Sequence, residues 1–300
     1  MLTQAQFNTL LIPMIYHHLD IGRNRVPSLR SRLFSVRQST LAAENGVGLG
    51  GMSPDAWNQW QKAGAKGSLD MDQQYTQTYT HLEYPVTLAI RKQLVINDQY
   101  GKIGDMIRKA GISAEQKMEI DAASLLNNAF SSSYNLSDAK PLCSATHPKG
   151  INAGSGTYSN RGTSALSKAA VSATRVLMAR FKDDKGNEVG FMPNELWVPP
   201  ELEDVALEIA ASPLDPTSGN NAINPQAGRW TVIPWQRLTD TTNWFMADSV
   251  ARQEAVNWYD REALQVMLVA ETTTEVVYEL KLHYSFGADD WRWIYGHEVA

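Results

Sequence analysis

The sequence predicts an α+β fold, and three observations carry that prediction. The first is a strand of strict period two near the C-terminus. Val276, Tyr278, Leu280, Leu282, Tyr284 and Phe286 alternate with Val277, Glu279, Lys281, His283 and Ser285, the pattern of a half-buried antiparallel strand. The second is a capped amphipathic helix. Ser113 and Gln116 have capping-box spacing, and Met118, Ala122, Leu125, Leu126 and Ala129 form one apolar stripe, so a helix is expected from Ser113 to Phe130. The third is the order of elements: helices and strands mix without the regular alternation that builds a parallel α/β sheet.

Composition bounds the rest. A chain of 300 residues with 43% hydrophobic content can bury one large core or two joined ones. The 27 basic and 32 acidic residues leave a formal charge of −5, which argues against a general nucleic-acid binder, since that role needs a surplus of Lys and Arg. The single cysteine, Cys143, leaves no intramolecular disulfide and fits synthesis in a reducing cytoplasm. No apolar run is long enough to span a bilayer, and Met1–Tyr16 lacks a basic start and a cleavage site.

Along the chain, Phe7, Leu10, Leu11, Met14 and Ile15 have helical spacing over Thr3–Tyr16. Arg23, Arg25, Arg30, Arg32 and Arg37 then follow without periodicity around Pro27, and we read them as an extended basic arm. The glycines at Gly46, Gly48, Gly50 and Gly51 follow Leu41–Asn45, which reads as a poor strand, and have no Lys-Ser or Lys-Thr after them. They suit a flexible joint or hinge, as do those at Gly64–Gly67, rather than a phosphate loop. Ser53 and Pro54 predict a short helix carrying Trp57 and Trp60 and closed by Gly64.

Tyr75–Tyr84 is rich in Thr and Tyr. After Pro85, Val86, Leu88 and Ile90 alternate, with Leu94 and Ile96 beyond. Two such polar strands suggest a ribbon that is marginal alone and must lie on something else. A helix is expected over Ser164–Lys182 with Leu166, Ala170, Ala173, Leu177 and Phe181 on one face. A buried strand follows at Glu195–Val198, then a helix after Pro199 and Pro200 with Leu202, Val205, Ala206 and Ile209 inward. Ser212–Gly228 is a long loop, and short strands follow at Trp230–Trp235 and Trp244–Ala247.

No constellation signals chemistry. His17, His18 and Asp20 are adjacent but lack ligand spacing, so no metal site is expected. Cys143 and His147 could be imagined as a hydrolase pair, but four residues apart in a loop is no catalytic signature. Asp183-Asp184 and Asp289-Asp290 read as solvated turn carboxylates. Trp230, Trp235, Trp244, Trp291 and Trp293 suit core or interface packing. We expect no catalytic residue and no cofactor.

The features in this order resemble the major capsid proteins of tailed phages, with the Hong Kong phage (Johnson) fold. Four stretches are similar to Mu-like major head subunits. They are Pro141–Pro148, where Cys143 stands in place of the family's common Phe; Glu195–Leu202; the run from Asn224 through Trp230–Pro234 to Trp244–Asp248; and Phe286-Gly287 with Asp290–Arg292 and Ile294–Gly296. The resemblance implies an N-terminal arm at 1–46, an extended E-loop hairpin at 47–99, a peripheral domain with the spine helix at 100–162, an axial domain at 163–259, and a returning peripheral strand at 260–300. It implies hexamers and pentamers of an icosahedral virion head assembled in the host cytoplasm. Further implied partners are a scaffolding protein, a portal, a possible decoration or cement protein, and packaged double-stranded DNA met non-specifically on the inner face, with no membrane. Arg23, Arg25, Arg30, Arg32, Arg37, Tyr75, Tyr79 and Tyr84 are the expected inter-subunit, scaffold or DNA contacts. The alternatives are another virion or assembly protein, or a cytoplasmic Cys hydrolase.

Overall fold

A long helix and a long β-hairpin organise the chain more than any other elements. The computed structural model describes residues 4–52, 54, 57, 73–93, 100–151, 156–214 and 223–300, with 4–11 by backbone only. In chain order the helices are α1 (Gln4–Arg23), α2 (Arg30–Leu33), α3 (Tyr100–Asn127), α4 (Lys168–Ala179), α5 (Glu203–Ala211) and α6 (Ser249–Ala255). The strands are β1 (Ser35–Gln38), β2 (Ala43–Val47), β3 (Thr76–Thr80), β4 (Leu82–Arg91), β5 (His147–Pro148), β6 (Thr157–Tyr158), β7 (Arg161–Gly162), β8 (Glu195–Val198), β9 (Thr231–Pro234), β10 (Trp244–Ala247), β11 (Val256–Glu271), β12 (Glu275–Ala288) and β13 (Ile294–His297). Contacts divide the chain into one unit of Met1–Glu44, Tyr79–Ala122 and Trp258–Phe286 and another of Asn45–Thr78, Ala123–Asn257 and Gly287–Ala300.

The first unit is built on a four-stranded sheet of order β1-β11-β12-β4. The period-two reading of β12 holds: Val276, Tyr278, Leu280, Leu282 and Tyr284 are all buried. Its partner along the chain, β11, had no counterpart in the sequence reading. Asp260, Arg261 and Glu262 interrupt any alternation there, and Glu, Ala, Leu, Gln and Met are helix formers. Tertiary pairing overrides that local preference.

The expected polar ribbon is also paired differently. β4 runs unbroken through Pro85 and lies antiparallel to β12, with Pro85 opposite Lys281, while β3 pairs with β2. Proline has no N–H for a ladder, and β4 tolerates it because it is an edge strand. Of the expected Ser53–Gly64 helix only Pro54 and an exposed Trp57 are described; Trp60, Leu94, Ile96 and Gly64–Gly67 lie outside the described residues.

The spine helix starts well before Ser113, at Tyr100. Gly101, Gly104 and Gly111 hide this first half, because glycine is a poor helix former. Two of the close approaches around them explain the choice. A Cβ on Gly111 would overlap the Leu19 carbonyl, and one on Gly22 would overlap the Arg108 carbonyl, so α1 and α3 cross backbone to backbone. Ile15, Leu19, Ile103 and Ile107 are buried on these helices. Tyr284 Oη donates to Asp121 Oδ2 at 2.6 Å, which sets α3 over the apolar face of β12.

The second unit holds a five-stranded mixed sheet of order β7-β13-β10-β8-β9. β13, the end of the chain, pairs antiparallel with Trp244–Ala247, so the last residues join this sheet and not the one containing β12. All five tryptophans singled out above are buried here. The Arg252 guanidinium makes two hydrogen bonds to the Glu195 carboxylate, 3.0 and 3.1 Å, and Trp197 Nε1 donates to the same group, so this buried charge pair is satisfied.

Two helix faces differ from expectation. On α4 the buried side chains are Val171, Thr174 and Met178, followed by Phe181, while Leu177 is 51% exposed. The helix is turned because Thr174 Oγ1 meets His297 Nε2 at 2.8 Å. On α5, Ala206, Ile209 and Ala210 are buried and Val205 is exposed.

Burial pushes the His297 imidazole down to about 4. Thr174 Oγ1 donates to the Ala170 carbonyl and therefore accepts from His297 Nε2, while His297 Nδ1 accepts from Ser164 N. Protonating Nδ1 breaks that last bond. The folded value lies below the ordinary 6.5, so this stability is present above about 6.5 and is lost as pH falls towards about 4. His81 is shifted in the same direction, by burial first and then by His283 and Arg261, against an opposing pull from Glu44. In urea titrations from pH 7 to pH 4, His297→Gln should be less stable at pH 7 but lose stability less steeply than the parent. Equal slopes would remove His297 from the acid response.

Candidate assembly surfaces

The N-terminal arginines are not strung along an extended arm. α1 continues to Arg23, α2 opens at Arg30, and Arg37 lies in β1. The cause is a pair of carboxylates on one face of α3. Glu119, 1% exposed, accepts from Ser28 Oγ at 2.6 Å, Leu29 N at 3.2 Å and Arg30 N at 3.0 Å, and so caps the first turn of α2 from a distant helix. Glu115, one turn earlier, accepts from Arg23 Nε at 3.3 Å and Arg30 Nη2 at 3.4 Å. Arg30 also lies over the Trp258 ring at 4.8 Å. Arg23 and Arg30 are therefore engaged within the chain. Arg25, Arg32 and Arg37 are exposed.

The tyrosines divide likewise. Tyr79 is buried against Tyr259, with ring centroids 5.5 Å apart. Tyr84 stacks on Tyr284 at 4.8 Å, with Lys117 Nζ 5.0 Å from its ring, and remains half-buried. Tyr75 is half-buried, and its carbonyl accepts from Gly48 N at 2.9 Å. Exposed apolar side chains lie elsewhere: Leu82 and Val86 on edge strand β4, and Met267, Leu268 and Val269 in succession on β11. A large apolar side chain left in water at such density marks a contact surface.

The sequence reading missed what holds the base of the 47–99 segment. The glycine run is not a loose joint. Gly48 N donates to Tyr75 O, Leu49 N to Asp290 Oδ2 at 3.0 Å, and Gly51 N to Asp184 Oδ1 at 2.6 Å, while Gln74 Nε2 donates to Asp184 Oδ2 at 2.9 Å. Asp183 and Asp289 are buried, and a Cβ on Gly51 or Gly46 would overlap their carboxylates. These glycines give close approach, and one carboxylate of each acidic pair, Asp184 and Asp290, receives a backbone N–H of the 48–51 stretch. The only sequence signal was two Asp-Asp pairs beside Gly-rich stretches, which solvated turns share.

Cys143 and His147 are both buried, yet they do not form a pair. Burial pushes the thiol well above its ordinary value, and its sulfur lies against Gly296. His147 Nδ1 is 2.6 Å from Asp138 Oδ2, Nε2 is 3.1 Å from Asn160 Oδ1, and the ring stacks on Trp291 at 4.4 Å. Asn160 also donates to the Leu142, Trp291 and Ile294 carbonyls and accepts from Ser144 N. The Pro141–Pro148 motif is thus a buried polar rivet. Among the described residues, no group of His, Cys, Asp and Glu is arranged to hold a metal ion, and no helix is long and apolar enough to cross a membrane.

Asp184→Ala removes the acceptor for two neck donors. Local opening of the neck should become easier by about 1–3 kcal/mol, with little change in global unfolding. Limited proteolysis between Gly48 and Thr76 should accelerate on the order of tenfold or more. Unchanged cleavage would mean the neck is held by something else.

The sequence profile of the phage capsid protein family matches residues 76–296. A search of curated proteins finds no match. Among solved structures, a chain from Mycobacterium phage Patience superposes with a TM-score of 0.55 at 10% identity, covering 99% of this chain and 88% of that one. The bacteriophage JBD30 capsid gives 0.57 at 16% identity, covering 71% of this chain and 92% of that one. The JBD30 capsid decorated with minor capsid protein trimers gives 0.53 at 17% identity over the same shares. At these identities the structures establish the fold, that of phage capsid subunits. The profile match takes in β4, β11 and β12 of the first sheet, the whole of α3 and nearly all of the five-stranded sheet, and the chain belongs to the phage capsid protein family.

Proposed function

We propose that this chain is the major capsid subunit of a tailed-phage head, assembling into hexamers and pentamers of an icosahedral shell around double-stranded DNA. The observation that carries the reading is the family match together with the pinned neck at 48–51 and 74–75. A shell subunit needs a long element held firmly at its base, because arms and hairpins that cross neighbours supply area a compact body lacks. In this reading residues 1–46 are the N-terminal arm, 47–99 the E-loop and α3 the spine. The axial domain is 163–259, and the peripheral domain is 100–162 together with the returning strand at 260–300.

The same reading supplies the partners. The subunit would meet copies of itself, a scaffolding protein, a portal and, on its outer face, decoration proteins. Assembly would take place in the host cytoplasm and end in the virion, with no chemistry performed by the subunit. Arg25, Arg32 and Arg37 are the arginines best placed to meet a neighbouring copy, a scaffold or DNA phosphate, since their side chains are exposed. Tyr75 and Tyr84 are half-buried and offer less surface, and Tyr79, Arg23 and Arg30 offer least.

Negative-stain electron microscopy of the chain expressed with a candidate scaffold should show closed shells or free hexamers and pentamers. A monomer under every condition would contradict the proposal. Replacing Arg25, Arg32 and Arg37 together by Gln should leave the melting temperature within a few degrees, since exposed charges contribute about 0–1 kcal/mol each, and should reduce shell yield or DNA content.

A further inference from the structure

The five-stranded sheet carries two helices whose outer faces bear charge of opposite sign. α4 packs on β10 and β13, and α5 packs on β8 and β9. Ser164–Lys182 holds Lys168, Arg175, Arg180 and Lys182 and no acid, whereas Pro200–Ala211 holds Glu201, Glu203, Asp204 and Glu208 and no base. Helical spacing groups Ala173, Val176, Leu177 and Arg180 opposite the buried Val171, Thr174 and Met178 of α4, and all four are exposed. On α5 it groups Asp204, Leu207, Glu208 and Ala211 opposite the buried Ala206, Ile209 and Ala210, and these four are exposed too. The acids on α5 are poorly placed for the helix itself. Asp204 and Glu208 are like charges one turn apart, and Glu208 lies in a last turn that has no cation. Among the described residues, none of Arg180, Asp204 and Glu208 has an ion-pair partner.

We propose that α4 of one copy docks on α5 of the next copy, the apolar side chains of the two faces meeting and Arg180 lying between Asp204 and Glu208. The occupant is a second copy of this chain because each face supplies what the other lacks: apolar side chains with a cation on α4, apolar side chains with two carboxylates on α5. Two α4 faces, or two α5 faces, would set like charges against each other, so a two-fold contact is disfavoured. The contact is therefore head-to-tail. Each copy gives one face and receives on the other, and such a contact builds a ring when its rotation closes. With 12 and 9 residues the helices are about 18 and 14 Å long, so they form one part of a subunit interface of ordinary size. The inference rests on the capsid reading above, and it adds which two helices join neighbours within one ring.

The test uses the full chain expressed with a candidate scaffold, with sedimentation for free rings, electron microscopy for shells and co-sedimentation for scaffold binding. Glu208→Arg removes the like-charge pair and suits the helix end. Its melting temperature should stay or rise, while ring formation weakens on the order of tenfold, the equivalent of about 1.4 kcal/mol. Arg180→Glu added to the same chain should restore most of the loss, because every copy then carries both halves of the reversed pair. Leu177→Ser alters an exposed side chain, so it should fold like the parent and form rings more weakly. Parent-like ring formation in both Glu208→Arg and Leu177→Ser would overturn the contact, as would a loss that Arg180→Glu deepens. Parent-like rings with lost scaffold binding would also overturn it and assign the two faces to the scaffold. Absence of rings and shells from the unmodified chain would instead sink the capsid reading, and this contact with it.

Discussion

Two carboxylates one helical turn apart decide where the first forty residues go. Glu115 and Glu119 project from the same face of α3, and both are nearly fully buried. A buried carboxylate is tolerable only when its oxygens are fully used. The N-terminal segment supplies the donors: a hydroxyl and two backbone N–H groups for Glu119, and two guanidinium groups for Glu115. With α2 capped in this way, Phe34 is carried into the aromatic cluster of Trp258 and Phe286, at 5.5 and 5.8 Å, and β1 is delivered to the edge of the sheet beside β11. The glycine crossing of α1 over α3 completes the arrangement by removing the side chains that would hold the backbones apart.

The second unit solves its own version of the problem. Its sheet is short-stranded, and strands of two to four residues give little ladder. Buried polar side chains compensate by tying loops to it. Asn160 joins the 141–148 motif to the last turn of the chain, Glu195 and Arg252 join β8 to α6, and Asn224 holds the end of the 212–228 loop through the Ile209 and Ser212 carbonyls. Fully satisfied networks of this kind specify one arrangement among many apolar alternatives. The neck belongs to the same design: backbone donors on one side, aspartates on the other.

What was legible in the sequence follows from which forces are local. β12 could be read because its burial alternates residue by residue, and the buried strands Glu195–Val198 and Trp244–Ala247 because apolar runs between turn residues have few other uses. β11 could not be read, because its identity comes from pairing with β12 and β1 and its own residues favour a helix. The first half of α3 was concealed by the very glycines that let α1 approach. The arginine-rich stretch looked extended because its partners, Glu115 and Glu119, are some ninety positions away along the chain. The acidic pairs looked solvated for the same reason: a carboxylate's receptor role is invisible until the donors are brought to it. The capsid reading survived these local errors because it rested on the order of motifs, and the rivets at Asn160, Asn224 and Glu195 now give those motifs a physical cause.

The account depends most on the claim that α3 folds the N-terminal segment back through its two carboxylates. Hydrogen exchange at Leu29 and Arg30 in Glu119→Ala tests it most directly. If Glu119 caps α2, those amides should exchange much faster than in the parent, and unfolding in urea should cost about 1–3 kcal/mol less. Unchanged protection at both amides would contradict it, and the arm would have to be held by its aromatic contacts alone.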